Sequence, residues 1–404
     1  MNDKIRKALL FIAVLLIIGG AGAAAMVNYV NSDRRTIPLV YSNSAVLRET
    51  WINYKVQYLE KESLRTIDRQ QNDITTSEGQ SYTMLRAVYM DDQETFDKSW
   101  QWTKDNLQRD DYLISWKFGQ HPDGSYGVLT EQGGDNTATD GDSDIALALL
   151  LAYSRWSKPD YLWDARPIIT AMWANEVVTI NGKPVLVANN IEKNSKTQVV
   201  VNPSYFSPYA YKIFAQVDPT HDWIGLADSS YALLDQISAA KLGGDSSSGL
   251  PPNWVLMNRS NGALVPAEQR GGLDSNYGYD AMRVVFRLGL DYNWYKDPRA
   301  KTQLEKYTLL SQKWQSDGRL VPIYAHDGKN MADYEAPAMY GTSMGYFTVI
   351  NPTVGKQVYQ KKLQTLYSPD LQGWARPLSY YDDNWAWFGM ALSMDALPNL
   401  TVER

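Results

Sequence analysis

Apolar residues recur along most of this chain at the intervals of one face of an α-helix. Over residues 45–64 that face is Val46, Trp51, Tyr54 and Tyr58. Residues 82–107 continue it with Leu85, Val88, Tyr89, Phe96 and Trp100, which predicts helix throughout. Residues 145–156 are almost wholly apolar, as a helix buried on all sides would be. The same reading predicts helices over 166–173, 223–242, 279–290, 300–315, 336–350, 356–366 and 384–396. β-prone pieces are short. In 177–187, Asn181-Gly182 stands between Val177, Val178, Ile180 and Val185, a hairpin signal. Many helices with little strand can build a bundle, a solenoid or an α/α toroid, and no short-period repeat supports the solenoid. A toroid gathers its loops at one end, where groups from distant sequence positions can meet.

The first apolar stretch differs from the rest. Lys4, Arg6 and Lys7 precede an uncharged run over residues 8–27, about long enough to cross a bilayer as a helix. Positive charge on its N-terminal side predicts a cytoplasmic N-terminus and a translocated body. Ala23-Ala24-Ala25 also offers small residues for a peptidase, so cleavage and secretion is the competing reading. The run is longer than a usual signal core, which favours a retained single-pass anchor in the cell membrane. The expected organisation is an anchor over 1–30, a polar linker over 31–44 and one domain over 45–404.

Composition narrows the chemistry. The net charge of -6, with no basic stripe, argues against nucleic acid. With no Cys, disulfides, thiol nucleophiles and zinc–thiolate sites are excluded. Three dispersed histidines, His121, His221 and His326, make a His-rich metal centre or a Ser-His-Asp triad a poor expectation. The 14 Trp and 27 Tyr against 8 Phe favour aromatic faces with polar edges, which suit sugar rings as well as a helical core.

Three acidic segments open predicted helices. In Ser77-Glu78-Gly79-Gln80-Ser81-Tyr82, a structural reading has Ser77 capping and Glu78 complementing the helix dipole. In Thr139-Asp140-Gly141-Asp142-Ser143-Asp144, acids alternate as at the start of a calcium loop. Ile145 and Leu151, however, stand where that loop needs Gly and Glu, so no metal is expected. In Tyr279-Asp280-Ala281-Met282-Arg283, the Arg lies one helical turn after the Asp and is expected to keep it ionised and oriented.

The run Ala138-Thr139-Asp140-Gly141-Asp142-Ser143-Asp144-Ile145, continuing to Trp156, resembles the signature of glycoside hydrolase family 8. Thr76–Tyr82, Ser115-Trp116-Lys117, Asn202-Pro203-Ser204-Tyr205-Phe206, Gly249–Trp254, Tyr279–Arg283 and Tyr380–Asn384 agree with it in order. The resemblance implies an all-α (α/α)6 toroid with short β-hairpins in its loops, and endo-acting hydrolysis with inversion. It implies Glu78 as general acid, Asp280 as general base and Asp140 as holder of the sugar at the cleavage point. Tyr205 would help place the attacking water and Trp116 would stack on a sugar. Tyr279, Arg283 and Tyr82 complete the expected substrate-binding set. No cofactor is implied. The expected partners are a polysaccharide, the cell membrane through the N-terminal helix, and, as a candidate, an exopolysaccharide synthase complex. A β-1,4-linked glucan is the default substrate, with an amino-sugar exopolysaccharide as competitor. The alternative is a carbohydrate-binding or scaffolding subunit of such a complex.

Overall fold

The apolar run after Asp144 sits in helix α4, Thr139–Trp156, whose residues from Thr139 to Ala152 are all buried. A helix buried on every side has to lie inside a ring of others, and the computed structural model, which describes residues 44–401, shows that ring. The predicted anchor and all of the linker but Ser44 lie outside the described residues. Among those described, no helix is long and apolar enough to cross a membrane.

Helices α1 (Ala45–Tyr58), α2 (Ser77–Tyr89) and α3 (Gln93–Asn106) precede α4, and α5 (Pro159–Glu176) follows it. Next come α6 (Pro208–Val217), α7 (Trp223–Ala239), α8 (Met282–Tyr295), α9 (Pro298–Lys306) and α10 (Thr308–Asp317). The chain ends with α11 (Pro337–Ile350), α12 (Pro352–Val358) and α13 (Tyr380–Ser393). Proline opens α5, α6, α9, α11 and α12, where its fixed φ suits the first turn and its missing N–H is not needed.

Neighbours pack in the sequence α2–α4–α6–α8–α11–α13, and each inner helix also packs on an outer one. The inner ring closes where Arg86 of α2 forms an ion pair at 2.9 Å with Asp383 of α13. Tyr82 meets Trp385 and Phe388 edge-on beside that pair. This is the arrangement of an (α/α)6 barrel. Glycines let the inner backbones touch: a Cβ on Gly341 would stand 1.9 Å from the Trp385 carbonyl, and one on Gly345 2.2 Å from that of Val285.

Several expected boundaries move. The predicted 82–107 helix is broken at Asp91, whose φ of 59° is left-handed, and Asp92 then caps α3. The 300–315 helix divides at Tyr307 into α9 and α10. α6 was not predicted at all. The hairpin was: β4 (Val177–Ile180) pairs with β5 (Lys183–Leu186), with Asn181 and Gly182 both at positive φ.

Two small sheets bring loops to one end of the barrel. In one, β1 (Thr75–Thr76) pairs with β2 (Lys117–Gln120), and β2 with β3 (Tyr126–Val128), which sets Trp116 beside Ser77. In the other, β6 (Gln198–Val201) pairs with β7 (Val255–Asn258), and β7 with β8 (Leu264–Pro266), which sets Asn202 beside Trp254.

Candidate active site

Glu78 is the second residue of α2. Thr76, rather than the expected Ser77, caps this helix by accepting from the Gly79 N–H at 3.0 Å. The Ser77 N–H is turned to the Trp116 carbonyl. Asp140 is the second residue of α4, and one of its oxygens accepts from the Gly141 N–H at 3.0 Å. Asp280 stands just before α8, which begins at Met282 rather than at Tyr279. Its loop is held by Asn253, whose Oδ1 accepts from the Gly278 and Ala281 N–H groups at 3.0 and 2.9 Å.

The three carboxylates converge on Arg283. Its Nη1 donates to Glu78 at 2.8 Å and to Asp140 at 2.7 Å, while Nη2 donates to Asp280 at 2.6 Å. The predicted Arg283–Asp280 pair is therefore present, as part of a three-way clamp. A planar guanidinium presents its N–H groups in a fixed fork that suits such a clamp. The Arg283 side chain is only 2% exposed, and the charged groups it touches are the three acids. Tyr82 is similarly placed under the site: it is 1% exposed and its hydroxyl lies 3.4 Å from Arg283 Nη1.

Glu78 and Asp280 remain open to the cleft, at 23% and 29% exposure. Burial pushes the Glu78 carboxyl up to about 7, against the pull of Arg283 and with the push of Asp140 and Asp280. Burial also raises Asp140, opposed by Arg283 and Arg287. The Tyr380 hydroxyl lies 3.3 Å from the second Glu78 oxygen, and Asn202 donates to Asp280 at 3.1 Å. Tyr205 sits with its ring centre 5.4 Å from the Arg283 guanidinium carbon and meets Trp254 edge-on. Burial raises its hydroxyl well above the ordinary range, so it keeps its proton as a donor.

Two aromatic groups flank the acids. Trp116 is half-buried, its indole N–H fixed on the Gly133 carbonyl at 2.8 Å. Tyr279 is 37% exposed, meets Tyr381 edge-on and places its hydroxyl 3.3 Å from that of Tyr334. Asn202, Asn253, Tyr380 and Tyr381 carried no predicted role, although each lies in a motif that the resemblance covers. The other acids of the α4 motif have separate partners. Asp144 is forked to Arg287 at 2.9 and 2.7 Å, and Asp142 faces Glu176 inside the protein.

A carboxyl raised to about 7, a second carboxylate on the same guanidinium and nearby aromatics are groups that can do acid–base chemistry on a sugar. Residues 34–390 match the Glycosyl hydrolases family 8, and the chain belongs to that family. It is 30% identical to Endoglucanase A of Acetivibrio thermocellus over 75% of this chain and 61% of that protein. It is 31% identical to an endoglucanase of Cellulomonas uda over 78% and 80% of the two chains. The fold matches an endo-1,4-D-glucanase from Vibrio fischeri ES114 with a TM-score of 0.71, at 24% identity over 86% and 94% of the chains.

Proposed function

We propose that the protein is an endo-acting, inverting hydrolase of a β-1,4-glucan. The observation that carries this is the single guanidinium of Arg283 gathering Glu78, Asp140 and Asp280 at the loop end of the barrel. The endoglucanase relatives support the substrate class.

Glu78, raised to about 7, retains a proton to give to the glycosidic oxygen as the C1–O bond breaks. Asp280, held by Arg283 and Asn202, takes a proton from the water whose oxygen attacks C1 from the opposite face. One bond forms as the other breaks, so the configuration at C1 inverts. Proton exchange with solvent then restores both carboxyls. Asp140 accepts from a sugar hydroxyl at the cleavage point, Tyr205 orients the water, and Trp116 and Tyr279 support rings on either side.

The apolar run over residues 8–27 behind Lys4, Arg6 and Lys7 supports an extracytoplasmic position, tethered to the membrane. That position suits trimming of an exopolysaccharide or cellulose-like biofilm polymer at the cell surface. The test is a product assay on amorphous cellulose, mixed-linkage glucan, xylan and chitosan, with anomeric configuration read by NMR. Expected are α-configured products from the glucans, a steep viscosity loss with few new reducing ends, and no turnover by Glu78→Gln. β-configured first products, or cleavage that survives Glu78→Gln, would overturn the assignment.

A further inference from the structure

Asp142 and Glu176 are both wholly buried, and each keeps one carboxyl oxygen, Asp142 Oδ2 and Glu176 Oε2, without a partner among protein donors. Their other oxygens are engaged. Asp142 Oδ1 accepts from the Ile114 N–H at 2.8 Å, and Glu176 Oε1 from the Thr137 hydroxyl. The two carboxyls lie within hydrogen-bonding reach of each other. Further acids add to the pair: Asp111, from the loop ahead of β2, raises Asp142, and Asp140, from α4, raises Glu176, while the Thr137 and Thr139 hydroxyls lower Glu176. Two ionised carboxylates cannot share such a place without a cation. One proton shared between the two carboxyls would relieve the repulsion and supply a donor where the structure has none.

What the pair fastens gives it a role. Asp142 reaches the segment that runs from Ile114 to Trp116, and the Trp116 carbonyl takes the Ser77 N–H, next to Glu78. Glu176 ends α5 and holds Thr137, two residues ahead of the α4 turn that carries Asp140. The Thr139 hydroxyl donates nearby to the Val187 carbonyl, and the Val187 N–H to that of Glu176. We propose that Asp142 and Glu176 are positioning residues, a proton-sharing carboxyl pair that locks the supports of Glu78 and Asp140 together and releases them when the shared proton is lost. Burial, the first cause, raises Glu176 to about 7 and Asp142 well above the carboxylate range, so the lock is closed in acid and opens as pH rises.

The stability readout is independent of the reaction assigned above; the kinetic readout rests on it. The sign follows from linkage: a folded-state proton affinity above the unfolded one favours the fold in acid, and that advantage is lost as pH rises through about 7. Tm of the wild type therefore falls over that range. Glu176→Gln, which presents an amide N–H where the shared proton lay, falls less steeply. Both are compared in a Glu78→Gln background, which removes the contribution of Glu78 itself. In kinetics, Glu176→Ala is expected to lose about tenfold or more in kcat, as misplaced catalytic groups do. Glu176→Gln restores most of it with KM little changed. Infrared spectroscopy is expected to show a protonated-carboxyl band about a pH unit or more above the ordinary carboxylate range, lost in Asp142→Asn/Glu176→Gln. A Tm slope in Glu176→Gln as steep as in the wild type would overturn the shared proton. Full kcat in a folded Glu176→Ala would overturn the positioning role. If Glu176→Ala does not fold, Asp142→Asn, isosteric and already neutral, carries the slope test: a slope like that of the wild type refutes the pair.

Discussion

At Glu78 burial raises the carboxyl while the Arg283 guanidinium lowers it, and burial prevails at about 7. In the proposed reaction the proton that burial preserves is the one the leaving oxygen needs. The active form is the protonated one, so kcat/KM should fall about tenfold per pH unit above 7. A rate that stays flat well into alkaline pH would exclude Glu78 as the acid. The same shift bears on stability. A proton affinity raised in the folded state favours the fold below the unfolded value, and the advantage disappears as pH rises through about 7. Glu78→Gln should therefore be inactive yet melt higher than the wild type at alkaline pH, the exchange of stability for function expected of a catalytic group. That Glu78, Asp140 and Asp280 meet was foreshadowed in the sequence because each stands at or just before a helix start inside a recognisable motif. Arg283 was legible as a partner one turn from Asp280 and as a member of the expected substrate-binding set, but its ties to Glu78 and Asp140, 205 and 143 residues away, leave no local trace.

Between elements, the close approach of α2 and α4 shows what a short motif can encode. A Cβ on Gly141 would stand 2.3 Å from the Ser77 hydroxyl and 3.2 Å from the Ser77 carbonyl carbon, so glycine there lets the two N-termini meet with Glu78 and Asp140 side by side. Gly141→Ala should push the helices apart, costing about 1–3 kcal/mol in stability and about tenfold or more in kcat. Adding Ser77→Gly removes the nearest atoms and should recover part of both. Denaturant titration and steady-state kinetics would check this, and an unchanged kcat in Gly141→Ala would show that the contact does not set the site. At this scale the sequence was readable where periodicity was long or the turn chemistry strong, as in α4 and the Asn181-Gly182 hairpin. It misled where a left-handed Asp91 splits an apolar pattern that runs on regardless. It was silent at α6, ten residues long, where Tyr209, Tyr211, Ile213 and Phe214 suit a strand as well as a helix and only Lys212 and Gln216 mark a polar face.

For the molecule as a whole, a ring of helices is only as sound as its closure. Arg86 and Asp383, both wholly buried, join the first inner helix to the last across 297 residues. Arg86 also donates to Asn384 at 3.1 Å and lies over the Tyr54 ring, 4.1 Å from its centre. Asp383 in turn accepts from the Trp374 indole at 2.6 Å. A buried charge left without its partner is expensive, whereas removing both charges together often costs little. Asp383→Leu should therefore destabilise by about 3–5 kcal/mol, and Arg86→Met/Asp383→Leu by less than that single change. The non-additivity would measure the coupling directly. Helix α13 also brings Tyr380 to Glu78, so loosening the closure should reach the active site, with a loss of kcat in Asp383→Leu that the double variant partly recovers. Chemical denaturation of the three proteins with parallel glucan assays would decide it. A double variant no more stable than the single would mean that the ring is held by its apolar and aromatic packing alone.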